Sequence, residues 1–127
     1  MSYVYRDAKL LVGQPPVDDG NGKFKGECVS LVKRFGGAPQ TSKWQMGIAV
    51  RGATLKEGTV IATFFDGKSY RGHAAFYLSQ DNDGITVVEQ YAGLQKIQKR
   101  KIRFKGKSDS KDGVNDGDSY SVVNLRA

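Results

Sequence analysis

A chain of 127 residues, 39% hydrophobic and 26% charged, has the size and composition of one globular domain able to bury its own core. A single cysteine excludes an internal disulfide, and a single histidine beside it argues against zinc unless several carboxylates join them. No run approaches the roughly 20 apolar residues that a helical membrane span needs, while a net charge of +7 points to an anionic partner, nucleic acid or bacterial cell wall.

The opening "MSYVYRDAKLLVG" mixes Arg6, Asp7 and Lys9 among its apolar residues and does not read as a signal peptide. The chain is expected to be made in the cytoplasm and to act there, or to be already processed, or to leave by a route that needs no cleavable signal. Tyr5, Ala8, Leu10, Leu11 and Val12 lie near helical spacing and predict a first helix ending at Gly13. Residues 14–26, "QPPVDDGNGKFKG", read as a loop. In "ECVSLVKRFGG", Cys28, Leu31, Val32 and Phe35 fall at i, i+3, i+4 and i+7, one face of a helix stopped by Gly36 and Gly37.

Residues 38–58 read as irregular or partly helical. The period then changes: residues 59–65, 73–79, 85–91, 101–104 and 120–125 are β-rich runs bounded by Gly, Asp and Asn. Residues 105–119, "KGKSDSKDGVNDGDS", read as a solvated or mobile loop. Their acidic groups miss the spacing of a calcium loop, so calcium is rejected. Helices first and strands after predict an α+β fold, residues 1–127 forming one domain with N-terminal helices packed on an antiparallel sheet.

The chemistry centres on Cys28. A thiol is mostly protonated at neutral pH, whereas the nucleophile is the thiolate. A helix N-terminus favours the anion through its dipole and its unpaired N–H groups, which can also hold the oxyanion formed on an attacked carbonyl. Gly26 lets the chain turn sharply into that helix. The plainer alternative makes Cys28 the first residue of the buried stripe. His73, at the start of a strand in "RGHAAFYLSQ", weighs against it: the one histidine follows the one cysteine in the order that a helix-cysteine, strand-histidine pair needs.

A third polar group should orient the imidazole, and the next run, "ITVVEQY", offers Glu89 and Gln90. If Asp81 pairs with Ile85 around an Asn-Asp-Gly turn with a bulge, odd residues meet odd residues and Glu89 joins His73. A slip of one brings Gln90 there instead. Glu89 is favoured and Gln90 is the alternative. Trp44 and Tyr91 are candidates to line a substrate groove, though a lone Trp is more often core. The basic run "QKRKIRFKGK" (residues 98–107) reads as a strand with Ile102 and Phe104 turned inward and a solvated positive face that can attract an anionic polymer.

Together, "GECVSLVK", "W..G..V" over Trp44 to Val50, "L..GTVIATF" over Leu55 to Phe64, "GHAAFYLSQ" and "ITVVEQY" resemble the NlpC/P60 and CHAP superfamily of papain-like cysteine amidases. Within it the similarity is closest to small stand-alone type VI secretion amidase effectors, over roughly residues 3–125. The resemblance implies a papain-like fold without metal or organic cofactor, acting on peptidoglycan at a stem-peptide or cross-link amide. Cys28 would be the nucleophile, His73 the base and acid, and the third position would fall on Glu89 or Gln90. "EQY" stands where close relatives would carry an aspartate and a tryptophan.

The resemblance further implies a cognate immunity protein, action in a target cell's periplasm and a monomer when free, with cleavage at a D-amino-acid cross-link favoured over a γ-glutamyl bond. Two alternatives remain: a phage-type or housekeeping lysin with the same chemistry, and a non-catalytic basic module that binds cell wall or nucleic acid. No nucleic-acid motif accompanies the basic run, and a nucleic-acid partner is not expected.

Overall fold

The computed structural model describes residues 2–65, 69–107 and 113–125. It contains one six-stranded sheet, with β1 (Trp44–Ala49), β2 (Val60–Phe65), β3 (Ser69–Gln80), β4 (Gly84–Glu89), β5 (Gln98–Arg103) and β6 (Tyr120–Leu125) arranged in the order β1-β6-β2-β3-β4-β5. Every neighbouring pair is antiparallel. The one α-helix among the described residues, α1 (Cys28–Gly36), lies on one face. Among the described residues no helix is long and apolar enough to cross a membrane.

The stripe read from the sequence forms α1 as expected. Gly37 closes it in the left-handed region at φ 72, its N–H reaching the Val32 carbonyl. Leu31 and Val32 are fully buried, each contributing on the order of 2 kcal/mol by leaving water. Gly36 is fixed by close approach, because a Cβ there would sit 3.0 Å from both Phe76 and Val60. The end of the helix therefore lies directly on β2 and β3.

Both faces of the sheet are covered. On the α1 side Leu31, Val32, Trp44, Val60, Phe76 and Val88 share one cluster, and on the other Val50, Ile61, Tyr77, Ile85, Ile102 and Tyr120 share a second. This is why residues 73–77 of β3 are buried without interruption instead of alternating.

Three expectations need correction. The first predicted helix is a single 3-10 turn, Ala8–Leu11. Ala8 and Leu11, three apart, bury, while Leu10 is 67% exposed, a period of three that suits a 3-10 turn. Part of the stretch read as irregular or partly helical is β1. It is an edge strand paired only with β6, with one of its six residues buried, so no alternation marks it. The third concerns residues 105–119, read as solvated. Residues 108–112 lie outside the described residues, but Gly113, Asp116 and Gly117 are buried. The Asp116 carboxylate accepts from the amides of Lys105, Lys107 and Asp118, which gathers the two ends of this segment onto one buried group.

Candidate active site

Cys28 is the first residue of α1. Four residues earlier the chain enters a turn in which the Glu27 amide donates to the Phe24 carbonyl at 3.2 Å, and Gly26 at φ 86 takes the position that a type II turn reserves for a left-handed residue. The Ser30 amide makes the first bond of the helix, to the Glu27 carbonyl at 3.1 Å. The amides of Cys28 and Val29 therefore stand where a helix N-terminus leaves N–H groups without helical partners.

His73 reaches this thiol through an irregularity in β3. Ala62 pairs with Ala74 and Phe64 with Tyr70, so the three residues 71–73 face Thr63 alone. Gly72 takes φ 109, and the Thr63 hydroxyl ties the bulge by donating to the Arg71 carbonyl while accepting from the His73 amide at 3.0 Å. In a regular strand Tyr70 and His73, three apart, would point to opposite faces. Here both reach Cys28. The Tyr70 hydroxyl lies 3.3 Å from its Sγ, and His73 stands close enough to draw the thiol toward its anion.

The other side of the imidazole is held just as firmly. His73 Nε2 lies 2.8 Å from Glu89 Oε1, which leaves Nδ1 as the ring nitrogen available to the thiol. Glu89 is fully buried, and its two oxygens accept three further hydrogen bonds: Arg100 Nε at 2.6 Å and Nη2 at 3.0 Å, and Gln98 Nε2 at 2.6 Å. A carboxylate so saturated anchors the ring and has no room to take its proton. Arg100 continues to Asn115 at 2.9 Å.

Charges alternate along this chain of groups. Burial alone would raise the Cys28 thiol, but hydrogen bonds with His73 and Tyr70, the His73 charge and the Ala74 amide together hold it below its ordinary value. Burial would lower His73, yet the hydrogen bonds and charges of Cys28 and Glu89 raise it to about 9. Burial would raise Glu89, and its bonds from His73, Arg100 and Gln98 bring it down to about 2. Tyr70 is pushed up by burial and by the neighbouring thiolate, so it remains a donor. The direction of each shift favours the charged form of its group, and with the thiol ionised the four groups alternate in sign with a net charge of zero, a set that a buried site can hold.

The parity argument that favoured Glu89 reaches the observed contact by a different route. The hairpin pairs Gln80 with Ile85, an even residue with an odd one, and not Asp81 with Ile85. A register shift between Tyr77 and Ser79 then restores odd with odd, Tyr77 opposite Val87. Gln90 falls on the opposite face and does different work. Fully buried, it donates to the carbonyls of Val17 and Glu27 and accepts from the Val17 amide, all at 2.9 Å. It thereby pins the loop of residues 14–27 and the peptide preceding Cys28. Replacing Gln90 with alanine strands these backbone groups and is expected to cost about 2–4 kcal/mol, read from the denaturant midpoint at unchanged slope.

Of the two groove candidates, Tyr91 is 41% exposed, with its ring edge-on to His73 at 6.2 Å between centroids. Trp44 does not line a groove. It is fully buried, its Nε1 donates to the Pro39 carbonyl at 2.8 Å, and its ring meets Tyr70 edge-on at 4.9 Å. Trp44 supports Tyr70 from behind. The sequence reading missed Tyr70, whose position depends on the bulge, and Arg100, which was counted with the solvated basic run. Arg100 sits two pairs along the β4–β5 ladder from Glu89, opposite Val87, and this diagonal spacing was the signal available for it.

A thiol at a helix N-terminus, beside an imidazole that a buried carboxylate holds from behind, is the arrangement of hydrolases with a cysteine nucleophile. Comparison with known proteins gives the family: residues 5–123 match the family described as domesticated amidase effector 2, and the chain belongs to it. It is similar to a type VI secretion amidase effector 2 protein of Salmonella typhi, 35% identical over 97% of this chain and 99% of that protein. A domesticated amidase effector 2 of Ixodes scapularis is 36% identical over 82% of this chain and 75% of its own. Among solved structures, that of Type 6 secretion amidase effector 2 (Tae2) superposes with a TM-score of 0.82 at 34% identity, covering 98% of this chain and 96% of the other.

Proposed function

We propose that this chain is a peptidoglycan amidase of the papain-like, NlpC/P60-type α+β fold, acting as an antibacterial effector. The observation that supports the reading is the set Tyr70, Cys28, His73, Glu89 and Arg100, in which Tyr70 meets the sulfur, Glu89 bonds the imidazole and is itself held by Arg100, and the imidazole acts on the thiol. Membership in the amidase effector family supports the reaction, and the net charge of +7 suits a polymer bearing peptide carboxylates.

The steps follow from the geometry. The Cys28 thiolate attacks the carbonyl carbon of a stem-peptide or cross-link amide, and the oxyanion so formed is met by the backbone N–H groups at the start of α1. His73, protonated and held by Glu89, gives its proton to the departing amine, and the C–N bond breaks to leave a thioester on Cys28. A water then attacks the thioester carbonyl as His73 takes its proton. Release of the free carboxylate returns the thiolate–imidazolium pair. Tyr70 donates to sulfur in the resting state, and Tyr91 contributes a wall beside His73.

Cleavage at a D-amino-acid cross-link is the favoured bond, the site of action is the periplasm of a target cell, and a cognate immunity protein would protect the producer by covering the cleft. Incubation with Gram-negative sacculi, followed by mass spectrometry of the released fragments, tests the reading. Conversion of cross-linked dimers to monomers is expected, and unchanged fragments from well-folded protein would overturn it.

A further inference from the structure

Phe24 carries two costs that the fold does not require. Its backbone is left-handed, at φ 57, a region that strains an L side chain. Elsewhere among the described residues glycine takes such angles, at eleven positions, and Lys107 is the other departure. The Phe24 side chain is also 59% exposed and belongs to neither hydrophobic cluster. A large aromatic that repays neither its strain nor its exposure by packing marks a position kept for something outside the fold.

Its location supplies the reason. The Phe24 carbonyl accepts from the Glu27 amide at 3.2 Å and from the Ser30 hydroxyl at 2.7 Å, and the Ser30 side chain is wholly buried in the first turn of α1. The type II turn brings Phe24 within about 7 Å of Glu27, the residue preceding the thiol. Gln90 fixes the far side of the same turn through the Glu27 carbonyl. Phe24 is therefore latched to the turn that begins with Cys28, while Tyr91, the other exposed aromatic of the site, stands beside His73.

We infer that Phe24 is a substrate-contact residue, an exposed apolar platform at the Cys28 end of the site that receives an aliphatic portion of the stem peptide next to the scissile amide. This rests on the amidase reading above. The left-handed backbone presents the ring outward, where the chain's usual choice of glycine would present nothing.

The test is steady-state hydrolysis of a soluble cross-linked muropeptide by the parent protein, Phe24→Gly and Phe24→Leu, with melting temperature and iodoacetamide reactivity of Cys28 measured alongside. Phe24→Gly is expected to melt no lower than the parent, since glycine accepts the left-handed angle. Its KM should rise about tenfold with kcat within about twofold, as when binding shared by ground and transition states is lost. Phe24→Leu should recover most of the KM, and thiol reactivity should not move. A Phe24→Gly variant with the parent's KM would overturn the inference and leave the amidase reading standing. A lower melting temperature or altered thiol reactivity would make Phe24 a fold or site-shape residue and also overturn it. A parent protein that cleaves nothing would overturn both.

Discussion

Cys28→Ala is expected to abolish amide hydrolysis outright while the protein melts within a few degrees of the parent. In the proposed mechanism the sulfur supplies the bond that forms in the first step, and Cys28 is the residue that opens that helix. The packing cost is small, because Cys28 is half-buried and the α1 stripe keeps Leu31 and Val32 in the core. His73→Ala is expected to cost at least on the order of 10²–10⁴ in rate, the usual range for removal of a general base, and more if the thiolate itself is lost. Turnover by either variant on sacculi, measured beside a circular dichroism melt, would remove that residue from the mechanism.

The second large effect falls on Glu89, and its two substitutions separate two roles. Glu89→Ala leaves the Arg100 guanidinium and the Gln98 amide facing a buried gap, and breaking one partner of such a set is expected to cost about 3–5 kcal/mol of stability. Glu89→Gln keeps shape and most hydrogen-bond capacity but removes the charge that helps raise His73. It is expected to fold and to lose on the order of 10²–10⁴ in kcat, the scale found when a base loses the group that orients it. Full activity in a folded Glu89→Gln variant would restrict Glu89 to holding the sheet together.

The same carboxylate sets an acid limb of stability. Its folded value of about 2 lies below the ordinary 4.5, so the unfolded chain binds the extra proton as pH falls. The stabilisation from Glu89 is fully present above pH 4.5 and is lost as pH drops through 2. A urea midpoint that falls across this window in the parent, and falls less in Glu89→Gln, is the expected signature.

How much of this was legible in the sequence depended on how far each feature is from a local rule. The cysteine helix was plain because a stripe, a leading glycine turn and a double-glycine stop all agree within 12 residues. The strands that run through the centre of the sheet were found from their β-branched runs, but the edge strand β1 buries one residue in six and left no pattern to read. Glu89 was chosen over Gln90 by parity. The parity depends on an irregularity between Tyr77 and Ser79 and not on the turn itself, so the reasoning reached the contact through the wrong bulge. Irregularities are where sequence reading fails most and where this site is built: the bulge opposite Thr63 aims Tyr70 and His73 at one sulfur, and no residue pattern announces it. Arg100 was hidden for a different reason. Arg100 pairs with Val87, two residues along β4 from Glu89, and in a run of lysines and arginines only that diagonal position beside a buried acid separates the one that turns inward from those that do not.

The central claim is that His73 holds Cys28 as a thiolate, and the most direct measurement is the rate of Cys28 alkylation by iodoacetamide against pH in the parent and in His73→Ala. An ordinary thiol titrates near about 8.5. In the parent the inflection should lie below the ordinary value, because the imidazolium, Tyr70 and the Ala74 amide favour the anion against the opposing effect of burial. In His73→Ala the inflection should move up toward the ordinary value or beyond it, since burial then acts with its main opponent removed. Superimposable profiles with an ordinary inflection would mean that the thiol and imidazole are neighbours without being a pair, and the mechanism would fall with them.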